Sequence, residues 1–196
     1  MNYNLLSVRV MRVFDQAERQ GRKFIEQTGL HCPLKCGECC HSKNIYATVL
    51  ECLPISIKLW KEGKGDQVYD FVSRNSESSL CVFFKDQLSH EDVGHCSIYH
   101  YRFLVCRLFS NSVRFDAHGK IQLQTCKLIK QQQEDRFHAA QKQLENGIKA
   151  PISSNFAFRL YSIDPYLGKD LLPVNVAIKK ALEITYIHSH IFHKAS

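Results

Sequence analysis

Four thiols fall within nine residues, Cys32-Pro33-Leu34-Lys35-Cys36-Gly37-Glu38-Cys39-Cys40, and the other five cysteines all follow before residue 127. So dense a group of soft ligands suits zinc, copper(I) or iron–sulfur iron, and closeness in sequence lowers the entropy of gathering the thiols around one ion. Disulfides account for it less well. The cysteine count of nine is odd, and the start of the chain predicts a cytoplasmic protein: the apolar run after Met1 is broken by Arg9, Arg12 and Asp15. No stretch of about 18 apolar residues is present to cross a bilayer, so no membrane partner is expected.

A length of 196 residues predicts a single domain over 1–196 with a hydrophobic core of its own. The net charge of +7 counts every thiol as neutral. A four-cysteine site with a divalent ion replaces four thiols by four thiolates and adds two positive charges, so two such sites would bring the balance down to +3. Metal ions are thus the expected partners, and nucleic acid is not. The basic residues are dispersed, with no arginine-rich block and no aromatic ribonucleoprotein pattern.

Residues 5–28 carry Leu6, Val10, Val13, Phe14, Ala17, Phe24 and Ile25 at helical spacing, which predicts an amphipathic helix ended by Gly29. That helix occupies the first section of the chain, 1–30. The second section, 31–126, holds every cysteine and reads as short elements tied by loops: a strand within 44–48, helices over 50–60 and 67–73, and a hairpin whose strands flank Asp116-Ala117-His118-Gly119. The third, 127–196, predicts a long helix over 127–147, stopped by Pro151, and a last helix from near Pro173 to His188. Its 70 residues contain no cysteine, so they are expected to buttress the metal core, bind a protein partner or line a cleft. Gln131-Gln132-Gln133 reads as a solvated helix face. The fold class predicted is α+β, an irregular cysteine-rich, metal-centred core with short strands and a hairpin, packed by N- and C-terminal helices.

Cys36-Gly37-Glu38-Cys39 has the spacing of zinc and iron–sulfur knuckles, with Gly37 at a tight turn. In extended backbone Cys39 and Cys40 would point to opposite sides, so the pair is expected to serve two metals or to bridge within one larger cluster. Cys81, Cys96, Cys106 and Cys126 supply enough further thiols to complete two four-ligand sites together with Cys32, Cys36, Cys39 and Cys40. Cys52, among Leu50, Leu53 and Ile55, reads instead as a small buried hydrophobe. Glu51 and Arg107 are expected beside the ligands, the Arg107 guanidinium offsetting thiolate charge and donating hydrogen bonds to sulfur, and His41 and His95, each next to a cysteine, are candidates for the same place.

These residues resemble the CxxCxxCC, or YkgJ-type, cysteine-cluster family, described as zinc- or iron-chelating domains. The CGxCC core appears as Cys36-Gly37-Glu38-Cys39-Cys40, the following threonine and glutamate as Thr48 and Glu51, and the Cys-Pro-Phe-Leu motif as Cys81-Val82-Phe83-Phe84. The late motif runs from Cys96-Ser97-Ile98-Tyr99 through Arg102 to Cys106-Arg107, and the likeness spans about 32–126. Three residues separate Cys32 from Cys36 where the family has two, which leaves His31 as an alternative to Cys32. Phe103 and Ser110 stand where the family prefers proline, and His100 where it prefers glutamate. The resemblance implies bound zinc or iron.

A flagellin lysine methylase carries a similar motif, so an iron–sulfur redox or methyl-transfer enzyme component is the alternative, and the sequence leaves open whether the chain is an enzyme. Cys32-x3-Cys36-x2-Cys39 also matches the three-cysteine pattern of radical S-adenosylmethionine enzymes. The long partial barrel and glycine-rich strand of those enzymes have no counterpart here.

Overall fold

Leu6, Val10, Val13, Phe14, Ala17, Gly21 and Phe24 recur every three or four residues and form the buried stripe of α1, Tyr3–Thr28. Asn2 caps its start, accepting from the Leu5 N–H, and Gly29 ends it at φ 67 with its N–H on the Ile25 carbonyl. The computed structural model describes residues 1–32, 36–42, 44–75, 80–85 and 94–192, with side chains up to residue 186.

A short β1, Tyr46–Ala47, leads into α2, Val49–Lys61, and α3, Gly65–Arg74. Thr48 and Glu51 form a reciprocal capping box at the start of α2. Gly65 is required by close packing, because a Cβ there would strike the Trp60 ring. Next come β2, Phe84–Lys85, and β3, His95–Cys96, which pair antiparallel with Phe84 opposite Cys96. They lead through a 3-10 turn at Tyr99–Tyr101 to α4, Leu104–Leu108. The hairpin is β4, Ser112–Phe115, with β5, Ile121–Gln124, turning through Gly119 at φ 74.

The long helix predicted over 127–147 is instead two, α5, Lys127–Gln132, and α6, Glu134–Glu145. The break falls at Gln133, whose backbone leaves the helical region at φ −133, ψ 42, and the second helix ends before Gly147, at φ 96, ahead of Pro151. Two further helices, α7, Ser153–Tyr161, and α8, Pro165–Gly168, precede β6, Leu172–Pro173, and α9, Val174–Phe192. Among the described residues five helices therefore follow Cys126, where the sequence suggested two.

Among the described residues the molecule is mostly helical with three two-stranded sheets, β1–β6, β2–β3 and β4–β5, and the N- and C-terminal helices both pack against α2. One apolar cluster joins α1, α2, α4 and α7 through residues such as Phe14, Leu53, Leu104 and Phe156. A second, around Ile55, Val72, Phe83, Ala177 and Leu182, joins α2, α3 and α9, and the Trp60 Nε1–H reaches the Leu182 carbonyl and Thr185 hydroxyl at 3.1 Å each. A third, around Phe24, Leu30, Val113 and Ile129, seats the hairpin and α6 against the end of α1. Among the described residues no helix is long and apolar enough to cross a membrane.

Candidate metal centre

Cys32, Cys36, Cys39, Cys40, Cys81, Cys96 and Cys106 line one cavity of about 520 Å³. They reach it from the end of α1, from a 3-10 turn at Glu38–His41 and the residues just before it, from the turn ahead of β2, from β3 and from α4. All nine cysteines are free thiols.

The inner side of the cavity is built on β2–β3 and α4. The Cys81 sulfur receives backbone N–H groups of Phe83 and Phe84, and that of Cys96 receives the N–H of Ile98. Backbone donors aimed at sulfur favour its anion. Both Cys81 and Cys106 pack against the α2–α9 cluster. Burial, together with the neighbouring thiols Cys81, Cys39 and Cys96, pushes the Cys106 thiol up to about 12. Burial likewise holds Cys81 at about 11. With no cation present these sulfurs keep their protons, and a bound cation would displace them by meeting the charge that burial penalises.

Cys39 and Cys40 lie in 3-10 rather than extended backbone, so the premise that they must face opposite ways does not hold. Both line the cavity and hydrogen-bond to each other; Cys40 donates, which together with the nearby Arg102 guanidinium brings Cys39 down to about 6 against the opposing effect of burial. Gly37 is needed for close approach rather than for a special φ, since its φ is −101 and a Cβ would lie 1.8 Å from the Gly94 carbonyl oxygen. That contact seats the Cys36–Cys40 segment on the start of β3.

The outer side is more open. Cys32 is exposed, hydrogen-bonded to Cys36 and within the field of Cys39 and Cys126. Cys126 directly follows the hairpin and caps α5, the Ile129 N–H donating to its sulfur at 3.4 Å. His31 also faces the cavity, with its Nδ1 bonded to the Gly29 carbonyl at 2.9 Å.

Two amide side chains from the cysteine-free third of the chain hold the backbone on either side. Asn175, 2% exposed on α9, accepts from the Val82 N–H at 2.9 Å and donates to the Leu80 carbonyl at 2.7 Å, gripping the peptide units that flank Cys81. Gln133 does the same to the residue before Cys32, donating to the His31 carbonyl at 2.7 Å and accepting from its N–H at 3.4 Å. It is half-buried and breaks the helix, unlike the solvated position expected for it.

Glu51 is not among the residues lining the thiol cavity and lines a separate one. Its buried carboxylate accepts from the Thr48 N–H and hydroxyl and, at 2.8 Å, from the Leu104 N–H, so one side chain caps α2 and the cysteine-bearing α4 together. Burial raises its pKa against those hydrogen bonds. Arg107, 2% exposed, lines the thiol cavity and ties down the loop between Cys96 and Cys106, donating to the carbonyls of Arg102 and His100 and to Glu18. Arg102, given no role by the sequence, also lines the cavity, and its charge favours the thiolate forms of Cys39 and Cys96; its guanidinium covers the Tyr99 ring at 4.0 Å. His95 is exposed at the rim, and His41 turns its ring edge to Phe84 at 4.6 Å, outside the lining. Cys52 is fully buried in the α2–α9 cluster.

The two proline departures have simple backbone readings. Phe103 takes φ −70, ψ 166, which proline also adopts, whereas Ser110 takes φ 80, which is closed to it.

Among the described residues no three His, Cys, Asp or Glu side chains are drawn close enough to hold an ion as they stand, so ligation requires cysteine side chains to rotate inward. The chemistry of the donor set fits a soft thiophilic metal. Seven thiols share the cavity, no carboxylate is among its described lining residues, and Arg102 and Arg107 would offset thiolate charge.

A family model described as "CxxCxxCC: Putative zinc- or iron-chelating domain" matches residues 31–143. No curated protein and no solved structure matched the chain.

Proposed function

Because the chain belongs to this cysteine-cluster family, we propose that it is a metal-holding module with two adjoining thiolate sites for zinc or iron. The inner site uses Cys40, Cys81, Cys96 and Cys106, and the outer uses Cys32, Cys36 and Cys126, with Cys39 between them. The observation that carries this reading is the convergence of seven thiols from separate chain segments on one cavity. The division into two follows the electrostatic neighbourhoods: Cys40 and Cys106 share Cys39 and Cys96 as neighbours, while Cys32 has Cys36, Cys39 and Cys126. Bound metal would supply cross-linking of the surrounding segments, and hence folding free energy. The chain's part is to hold the sulfurs with backbone N–H groups, Asn175 and Gln133, and to offset their charge with Arg102 and Arg107.

A second reading is favoured by the cavity's volume of about 520 Å³, which leaves room beside ligated ions for a small molecule. It makes the protein an iron–sulfur component of a redox or methyl-transfer enzyme.

Elemental analysis and a visible spectrum of anaerobically purified protein separate the two. Colourless protein with two zinc ions per chain is expected from the module; brown protein with labile sulfide gives the second reading. Protein that retains neither metal, with a melting temperature indifferent to a strong chelator, overturns both.

A further inference from the structure

On the opposite face of α4 from Cys106 and Arg107 lies a second cavity, of about 510 Å³, with Leu104, Val105 and Leu108 in its wall. Nothing in the metal reading uses it. Six large apolar side chains around it stay exposed: Tyr46, Val105, Phe109, Phe158, Tyr161 and Leu171, with Phe158 at 68% and Leu171 at 67%. A concavity of this size with so apolar a border suits a drug-sized apolar body.

Its polar lining is mostly satisfied from within. Ser112, Ser153 and Gln124 hydrogen-bond among themselves, and the Glu51 oxygens are taken by Thr48 and Leu104. The remaining charge is Lys169, exposed at the border, which forms no ion pair among the described residues and lies 5.7 Å from the Tyr166 ring centroid. An apolar cavity bordered by one cation that no acidic side chain among the described residues pairs selects a molecule with an apolar body and an anionic head. A neutral apolar ligand would leave Lys169 unused, and a cationic one would be repelled.

We infer that this cavity binds an amphiphilic carboxylic acid, its apolar chain or ring against Leu104, Leu108 and Leu160 and its carboxylate beside Lys169. The site is separate from the thiols and does not depend on which metal they hold.

The test uses the full chain with its metal as purified and anilinonaphthalene sulfonate, itself an apolar anion, as the fluorescent probe. Saturable binding of one probe per chain is expected, displaced by decanoate at least about tenfold more tightly than by decanol. Lys169→Glu should abolish that preference, and Ala157→Trp, which fills the cavity from an exposed helical position, should weaken probe binding by about tenfold or more. Circular dichroism and metal content should be unchanged in both variants, which keeps the result distinct from any failure at the thiols. Equal displacement by acid and alcohol overturns the inference, as does probe binding that survives Ala157→Trp. Absence of saturable binding overturns it too.

Discussion

The inner and outer sides of the thiol cavity carry the same side chain under opposite conditions. At the inner side Cys81 and Cys106 are packed against apolar residues of α2 and α9, backbone N–H groups already point at sulfur, and the clamp, Asn175, is 2% exposed. At the outer side Cys32 is exposed and its clamp, Gln133, is only half-buried. An enclosed site loses little further conformational freedom when an ion enters, while an open one must be ordered by the ion. The inner side should therefore bind metal first and release it last. Cys106→Ser is expected to remove both ions and lower the melting temperature by about 10 °C, corresponding to about 3 kcal/mol for a chain this long. Cys32→Ser should leave one ion per chain and cost about a third as much. Equal metal contents and melting temperatures for the two variants would break the comparison.

The clamps allow a finer test. Asn175→Ala leaves the Val82 N–H and Leu80 carbonyl without the amide that pairs with them, at about 2 kcal/mol by the usual penalty for a buried polar group stripped of its partner. Asn175→Asp keeps the acceptor for Val82 but loses the donor to Leu80, so it should fall between. If the clamp acts through Cys81, both variants will lose metal to a competing chelator faster than wild type, in the same order. Unchanged chelator kinetics with lowered stability would reduce Asn175 to ordinary helix packing.

How legible these features were in the sequence depends on how local their causes are. The α1 stripe, the Asp116–Gly119 turn and the burial of Cys52 as a small apolar residue follow from spacing or immediate neighbours, and the fold contains all three. Seven of the eight thiols singled out in the sequence line one cavity, because soft side chains seldom cluster without cause, whereas Cys126 caps α5 outside that lining. What was not legible acts across the chain. Asn175 meets a peptide more than 90 residues away and Gln133 one more than 100 away, and neither leaves a periodic trace. Gly37 looked like a turn residue, but its necessity comes from the Gly94 carbonyl. Glu51 was expected beside the ligands, whereas its carboxylate serves two helix starts, because Leu104 is brought to it only by the tertiary fold.

That shared carboxylate connects the inner site to pH. Burial raises the Glu51 pKa above its ordinary 4.5. A group whose folded pKa is raised contributes stability that is fully present below the unfolded value and is lost as pH rises through the folded one. Melting temperature, compared between wild type and Glu51→Gln, should thus show a wild-type component that falls with rising pH above about 4.5 and is absent from the variant. The variant should also be less stable overall by about 1 kcal/mol, since an amide cannot accept from both helix starts with both of its ends. Parallel pH profiles would mean that the raised pKa has no energetic consequence.

Gln133→Ala should have the smallest effect and bears most directly on the outer side. The hydrogen bonds to His31 are exposed, so their loss should cost about 0.5 kcal/mol or less. Alanine also favours helix where Gln133 breaks it, so α5 and α6 would tend to join and partly offset that loss. The consequence to measure is therefore kinetic. With the clamp gone, the chain around Cys32 is free to swing, and one of the two ions should exchange with isotopically labelled metal several-fold faster while the other is unaffected. If both ions speed up together, the inner and outer sites open as one unit, and the difference in enclosure between them has no bearing on how metal is held.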